Sequence, residues 1–598
     1  MARPYRVRRV ARHDAAAVRT IHIDGGKMRI YALKIFFLVC AGAIGVRLFG
    51  LMVAQHGFFT ALASDSHEIY AELTPERGGV YLENAEEKLI PLAINRDKFV
   101  VFADTRGYED PKQPLEVATS LAEFFGYDDE RKFKVLEQLQ KQNDAYEQIE
   151  KNVDEDTKKR LEERKLPGIH FSRFRERFYP EGALAAPVVG FVGKTENGTS
   201  VGRYGVEGYW NSLIGGTGGV LEGIRSASGA WIPLAGRSFE RATDGADVIL
   251  TLDRTLQYEI CERLKNAVST YQAQSGSMVI MDPLTGAIIV MCSVPDFDPN
   301  EYNKVTDIST FNNLSIFEPY EPGSVFKPIT MAAALDMNVI KPDDYFYDSG
   351  SVEAGCKKPI QNADNRSYKD QNMSGILERS INTGVVFIAN KLGKENFRQY
   401  VEKFGFGTKT GIELDTENPG TIASLYQNKG DKVDCYTATA SFGQGITATP
   451  LQLVTAFSAI ANGGKMMKPY IVKRIEYANG KVETIRPTEI RQVISKHTAD
   501  TVAAMMVRVV DYSEGKRGQV PGYYIAGKTG TAQIAGPGGY TAETNHSFIG
   551  FGPVGNPKFV TLIRLEKPQR TYANITAAPL FAEITSYLLS HYHIPPER

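Results

Sequence analysis

Ser324 and Lys327 stand three residues apart in Tyr320-Glu321-Pro322-Gly323-Ser324-Val325-Phe326-Lys327. The Pro-Gly pair breaks the chain, and the spacing of Val325, Ile329, Ala332, Ala333 and Leu335 predicts a helix opening at or near the serine. Side chains three apart on a helix lie roughly 5–6 Å apart at Cβ, so an amine reaches the hydroxyl directly. This is a nucleophile beside a base. Serine is a weak nucleophile at its own pKa, and a lysine partly withdrawn from water can lose its proton and accept the one on Oγ. The unpaired N–H groups of the helix start lie where an oxyanion would form.

Ser-x-x-Lys recurs at Ser513-Glu514-Gly515-Lys516 in a polar loop, so the spacing alone does not select a site. Two further patterns do. Ser380-Ile381-Asn382 lies on a second predicted helix, and Lys528-Thr529-Gly530-Thr531 lies on a predicted strand, Tyr523–Gln533. Small residues there let a peptide approach a strand edge and add to it. The other Lys-Thr-Gly, Lys409-Thr410-Gly411, follows Phe404-Gly405-Phe406-Gly407 and reads as a loop.

The elements that must position these residues are spread through 598 residues, enough for two or more domains. With 69 basic against 70 acidic residues, nothing points to a nucleic-acid groove, and the nine histidines show no metal-ligand spacing. The five cysteines are scattered and odd in number, which argues against a disulfide framework and leaves a Cys356–Cys435 bridge as an open alternative. Residues 1–34 carry Arg3, Arg6, Arg8, Arg9, Arg12, Arg19, Lys27, Arg29 and Lys34 against Asp14 and Asp24. Ile35 to Ala54 follows as an apolar run interrupted only by Arg47, about 30 Å long as a helix. That is a membrane span with a cytoplasmic N-terminus by the positive-inside rule. Ala61-Leu62-Ala63 would suit cleavage of a signal peptide, but the long basic arm and full span favour an uncleaved anchor.

Residues 55–244 form a mixed, charged segment, with Leu115–Leu166 reading as helices and Glu147–Lys165 as their solvated face. From 245 to 598 the pattern changes. A helix with one apolar face (Leu256, Ile260, Leu264, Ala267, Val268, Tyr271) precedes two apolar strands, Met278–Met281 and Ala287–Met291. Three more strands come late, at Tyr523–Gln533, Ser547–Phe551 and Phe559–Leu565, before a closing helix near Pro579–Ser590. The expected architecture is α/β: a mostly antiparallel five-stranded sheet with helices on its faces and an α-rich lobe inserted between strands two and three. The site then lies at the seam of lobe and sheet.

Ser-x-x-Lys, Ser-x-Asn and Lys-Thr-Gly in this order resemble the signature of the class B penicillin-binding proteins, D,D-transpeptidases that cross-link peptidoglycan. Glu76-Arg77-Gly78-Gly79 and Arg177-Phe178-Tyr179-Pro180 resemble that family's N-terminal pedestal, although Leu82–Glu87 stands where the family has an acidic residue and a glycine. The resemblance implies a penicillin-binding/β-lactamase-like transpeptidase domain preceded by a transmembrane helix and an extended α+β pedestal. It implies Ser324 as nucleophile, Lys327 as base, Ser380 and Lys528 as proton donors to the leaving amine, and Asn382 as a clamp on substrate and Lys327. Thr529 and Thr531 would bind the terminal carboxylate beside Gly530, and the N–H groups of Ser324 and Thr531 would hold the oxyanion. No metal or cofactor is implied. The implied partners are lipid-linked or polymerised stem peptides, β-lactams, and a membrane glycosyltransferase with other division or elongation proteins, since no glycosyltransferase motif precedes residue 244. The implied location is the bacterial cytoplasmic (inner) membrane, crossed once, with the catalytic domain outside. Tyr320–Ser324, Asn382-Thr383-Gly384 and Gly443–Thr447 resemble the cell-division branch more than the elongation branch. The alternatives are an elongation enzyme, a D,D-carboxypeptidase or β-lactamase-type hydrolase, and a non-catalytic β-lactam sensor or wall scaffold. No Glu-x-x-Leu-Asn segment of the hydrolases stands between Asn382 and Lys528, and the short basic arm offers no signalling domain.

Overall fold

The computed structural model describes residues 25–54, 68–84, 86–108, 110–141, 143–224, 238–363, 365–428, 430–537 and 539–598. Most of the basic arm and Ala61-Leu62-Ala63 lie outside the described residues. The chain divides into two compact units, Met1–Leu73 with Gly218–Arg241, and Thr74–Thr217 with Ala242–Arg598.

In the first unit, α1 (Gly25–Phe49) continues into a π-helical turn, Gly50–Ala54. Arg29–Val53 is long and apolar enough to cross a membrane, and its hydropathic stretch is not buried against protein. Such a helix satisfies its own backbone hydrogen bonds, which is what a hydrocarbon environment demands. Three antiparallel strands, Glu68–Leu73, Gly219–Ile224 and Ser238–Glu240, make a small sheet in this unit.

In the second unit, β1 (Val80–Glu83), β2 (Leu89–Ala103), β3 (Glu147–Val153), β4 (Ile169–Phe178) and β5 (Asp247–Leu250) belong to one seven-stranded sheet. β5 runs parallel to β1 and antiparallel to Val472–Glu476. One sheet is therefore built from strands on both sides of residue 245. β3 corrects the expectation of helices throughout Leu115–Leu166: helices occupy Gln113–Phe125, Asp129–Leu139 and Glu155–Glu162, but Glu147–Val153 pairs with β2. Its alternation, with Glu147, Ile149 and Val153 buried, is hidden because one inward residue is a carboxylate, held by Gln138 and Lys141.

Arg77 and Arg177, from the two pedestal stretches quoted above, converge on Glu207, which is fully buried. Arg177 Nε donates to Glu207 Oε1 at 2.7 Å and Arg77 Nε to Oε2 at 2.9 Å. Removing a buried ion's partner leaves charge uncompensated in a low dielectric, at a cost of about 3–5 kcal/mol. Glu207→Ala is accordingly expected to destabilise this unit by about that much, read as a fall in the thermal midpoint of the detergent-solubilised chain. An unchanged midpoint would show that the cluster contributes nothing.

The site rests on a second sheet of this unit. α2 (Arg254–Thr270) leads into β6 (Ser275–Met281) and β7 (Ile288–Val294), and α3 (Lys327–Asp336), α4 (Asn382–Leu392), α5 (Pro450–Ala461) and α6 (Lys496–Tyr512) follow. β8 (Ala526–Gly536), β9 (Gly539–Gly552), β10 (Phe559–Glu566) and α7 (Ala577–His591) close the chain. The strand order is β7-β6-β10-β9-β8, antiparallel throughout, as the spacing of apolar runs predicts. Strand period two sends Met278 and Ile280 to one face, against Leu256, Ile260 and Leu264 of α2 and Phe581 and Ile584 of α7. Val279 and Met281 point to the other face and share a core with Leu451 and Val454 of α5. α5 starts on a capping box in which Thr449 and Gln452 exchange side-chain and backbone bonds, so a nearly all-buried helix leaves its first N–H groups satisfied.

The cysteines depart from the expectation. Cys261–Cys292 joins α2 to β7 and Cys356–Cys435 closes a loop beside the lobe, with Cα separations of 5.5 and 4.8 Å. The odd count comes from Cys40, which lies on α1 and is free.

Candidate active site

Ser324 lies on a 3-10 turn, Gly323–Phe326, that feeds directly into α3. The turn sits against the edge strand β8. A Cβ on Gly530 would come within 2.9 Å of Val325 Cγ1, 3.2 Å of the Pro322 carbonyl and 2.5 Å of Ser547 Oγ, so only glycine admits this approach. Gly323 has φ +59°, and its N–H donates to the Gly443 carbonyl at 2.9 Å. A Cβ on Gly443 would in turn strike Gly323, so that turn buttresses the chain just before the serine. Val325 and Phe326 are buried and Ser324 is half-buried.

Lys327 is fully buried, and its Nζ reaches Ser380 twice and Asn382 once. It donates to the Ser380 carbonyl at 2.5 Å, to Ser380 Oγ at 3.2 Å and to Asn382 Oδ1 at 2.7 Å. Ser380 is not on a helix, contrary to the sequence reading. It sits in the link between helix Met373–Glu378 and α4 with φ +57°, a left-handed conformation that costs an L-residue roughly 1–2 kcal/mol. That turn aims both the carbonyl and the hydroxyl at the lysine. Asn382 opens α4, and its Nδ2 donates to the Gln361 carbonyl at 2.9 Å.

Behind Asn382 lies a layer the sequence did not disclose. Asp348, with no exposed surface, accepts bonds from Thr383 Oγ1 at 2.6 Å, Asn362 Nδ2 at 2.9 Å, Tyr368 N–H at 2.7 Å and Gly350 N–H at 2.9 Å. Four donors around one buried carboxylate fix the start of α4, and with it Asn382. Only the adjacency of Thr383 to Asn382 could have hinted at this.

On β8, Lys528 is buried, its Nζ directed at the Thr529 carbonyl (3.1 Å) and Oγ1 (3.4 Å). Thr531 Oγ1 accepts the Ala573 N–H at 3.1 Å, which commits one of its lone pairs. Across the ladder from Thr531 stands His546. Burial lowers its pKa to about 4, and its ring nitrogens lie 2.9 Å from Thr576 Oγ1 and 3.1 Å from Thr544 Oγ1, so it is a neutral prop at neutral pH. β8 ends the sheet order, leaving one edge open to an added strand.

The two repeats of the motifs are structural. Glu417 clamps the other Lys-Thr-Gly by accepting from Thr410 N and Oγ1, both at 2.6 Å, and from Gly411 N at 3.1 Å. Ser513 Oγ donates back to the Val509 carbonyl at 2.5 Å, closing the end of α6.

A family model described as the penicillin binding protein transpeptidase domain matches residues 276–586, and one described as the penicillin-binding protein dimerisation domain matches 72–250. The chain belongs to the penicillin-binding protein transpeptidase family. Stage V sporulation protein D of Bacillus subtilis is 32% identical over 588 residues, 96% of this chain and 87% of that protein. A peptidoglycan D,D-transpeptidase FtsI homolog of Mesostigma viride is 29% identical over 601 residues, 96% and 97% of the two chains. Penicillin-binding protein 3 of Mycobacterium tuberculosis, solved in complex with aztreonam, superposes with a TM-score of 0.66 at 25% identity, covering 88% of this chain and 98% of that one. These likenesses place the chain with the class B penicillin-binding proteins of the division branch.

Proposed function

We propose that Ser324, Lys327, Ser380, Asn382 and Lys528 carry the acyl transfer of this penicillin-binding protein. The chain is a serine-type peptidoglycan D,D-transpeptidase of septal wall synthesis and a target of β-lactams. Ser324 Oγ attacks the carbonyl of the penultimate D-Ala of a pentapeptide stem while Lys327, once it has given up one of the three protons it directs at Ser380 and Asn382 and is the neutral amine, takes the proton of that hydroxyl. Backbone N–H groups of Ser324 and Thr531 receive the oxyanion. Ser380 Oγ, the longest of the three contacts to Lys327 Nζ, both donates and accepts and so can pass a proton on to the departing D-Ala amine, aided by Lys528. Thr529 and Thr531 hold the terminal carboxylate by donating their hydroxyl hydrogens, and Thr531, which accepts the Ala573 N–H, keeps its hydrogen for this. An amine of a neighbouring stem then resolves the acyl-enzyme. The observation that carries this reading is that Lys327, three residues beyond Ser324, meets both Ser380 and Asn382.

Turnover of lipid-linked pentapeptide with and without an acceptor amine tests it. The expected result is acceptor-dependent cross-linked product with release of D-Ala. Release without any product of transfer would make the enzyme a hydrolase, and no release would make it a binder.

The reading extends to placement and company: residues 35–54 anchor the chain in the bacterial cytoplasmic membrane, 55–244 serve as pedestal, and 245–598 act outside. Residues 28–240 meet a polytopic membrane glycosyltransferase. Support for this comes from Arg47 on the apolar helix, a charge held more cheaply against a protein partner than against lipid. Replacing Ile35–Ala54 by an unrelated apolar helix is expected to abolish co-purification with that enzyme while penicillin labelling persists. Unchanged co-purification and growth would reduce the span to a tether.

A further inference from the structure

Glu321 lies three residues before Ser324 and has no part in the steps above. Its carboxylate is partly withdrawn from water, which raises its pKa above the usual carboxylate range, and two donors hold it. Gly445 N–H donates to Oε1 at 3.0 Å and the Tyr540 hydroxyl to Oε2 at 2.9 Å. Gly445 belongs to the same turn as Gly443, which abuts Gly323. Tyr540 belongs to the far end of the β8–β9 hairpin, paired in register with Ala535.

That end of the hairpin is an overhang. β9 pairs with β10 only from Asn545 to Gly552, and just past β10 Lys567 donates to the Thr544 carbonyl at 2.9 Å and meets Glu543 at 3.1 Å, so the stretch from Tyr540 to Ala542 pairs with β8 alone among the described residues, and the ladder between β8 and β9 slips register between Gln533 and Ala535. Two strands without a third are marginally stable in water. The overhang is also largely exposed: Gln533, Ala535 and Tyr540 are all at the surface. What ties it to the rest of the site is the carboxylate of Glu321.

The direction of the donor peptide gives the overhang its use, and this step rests on the transpeptidase reading above. With the terminal carboxylate at Thr529 and Thr531 and the reacting carbonyl at Ser324, a peptide added antiparallel to the β8 edge runs back towards Gln533 and Gly536. The stem residues preceding the reacting bond therefore lie along the overhang. We propose that Glu321 and Tyr540 form a latch that fixes the end of the β8–β9 hairpin beside Ser324 and so positions the N-terminal part of the donor stem. Both are positioning residues for the peptide beyond its last dipeptide. A β-lactam nucleus, which stands in for that dipeptide alone, does not reach the latch.

The test compares two probes on the full-length protein in detergent: lipid-linked disaccharide pentapeptide with a fluorescent D-amino acid as acceptor, and 6-aminopenicillanic acid as acylating agent. Tyr540→Phe removes one hydroxyl donor to a carboxylate. It is expected to raise KM for the pentapeptide about tenfold, the worth of one charge-assisted hydrogen bond, with kcat changed by less than about threefold. The second-order rate of acylation by 6-aminopenicillanic acid is expected to stay within about twofold of the parent, with the thermal midpoint unmoved. Glu321→Gln should show the same bias, and the double variant should be no worse than the poorer single one, as coupled partners require. An unchanged pentapeptide KM in Tyr540→Phe, equal losses on both probes, or multiplicative losses in the double variant would each overturn the latch. Absence of pentapeptide turnover in the parent would instead overturn the transpeptidase reading itself.

Discussion

Lys327→Ala is expected to slow acylation of Ser324 by penicillin by about 10²–10⁴-fold while initial non-covalent affinity stays near that of the parent, since positioned proton transfer contributes about that factor. The structure adds a second reason for a large effect. Lys327 Nζ is the donor to the Ser380 carbonyl, to Ser380 Oγ and to Asn382 Oδ1, so its loss takes a shared partner from two more residues of the site. Ser380 would also lose the contact that holds its left-handed backbone in place. Lys327→Arg separates base from charge, because a guanidinium keeps the positive charge but does not give up its proton. It should be as slow as the alanine variant. Near-parental acylation by stopped-flow in either variant would remove Lys327 as the base.

Much of the sheet was legible because its strands are short apolar runs bounded by turns. Met278–Met281 and Phe559–Leu565 fall inside β6 and β10, and the helix expected near Pro579–Ser590 is α7. The motif residues were legible as types in an order. Their geometry was not. Nothing local marks Ser380 for φ +57°, since a left-handed serine is imposed by the surrounding contacts rather than by propensity. Asp348, at the end of the strand Tyr345–Asp348, is the buried acceptor behind Asn382, a role visible only once Thr383, Asn362 and Tyr368 are brought together. The charged run from Glu147 to Lys165 shows the opposite failure. Charge suggested one solvated helical surface, whereas pairing with β2 made its first part a strand with Ile149 and Val153 inward. The disulfides were obscured by arithmetic, because counting Cys40 with the other four made the total odd although it lies apart on α1.

Ser324→Ala is expected to abolish covalent reaction with β-lactams altogether. The substitution removes one hydroxyl from a half-buried position on the 3-10 turn, leaving Gly323, Val325 and Phe326 to hold the turn against β8 and the Gly443 turn, so the fold and its thermal midpoint should persist. Neither of the other two motif serines replaces that oxygen: Ser380 Oγ is engaged with Lys327, and Ser513, the other serine of the Ser-x-x-Lys pattern, is tied to the Val509 carbonyl at the end of α6. The decisive measurement is the intact mass of the full chain after incubation with benzylpenicillin, for the parent, Ser324→Ala and Ser513→Ala. The account expects one penicilloyl adduct on the parent and on Ser513→Ala, and none on Ser324→Ala. An adduct that survives in Ser324→Ala, or vanishes in Ser513→Ala while the protein remains folded, would contradict it.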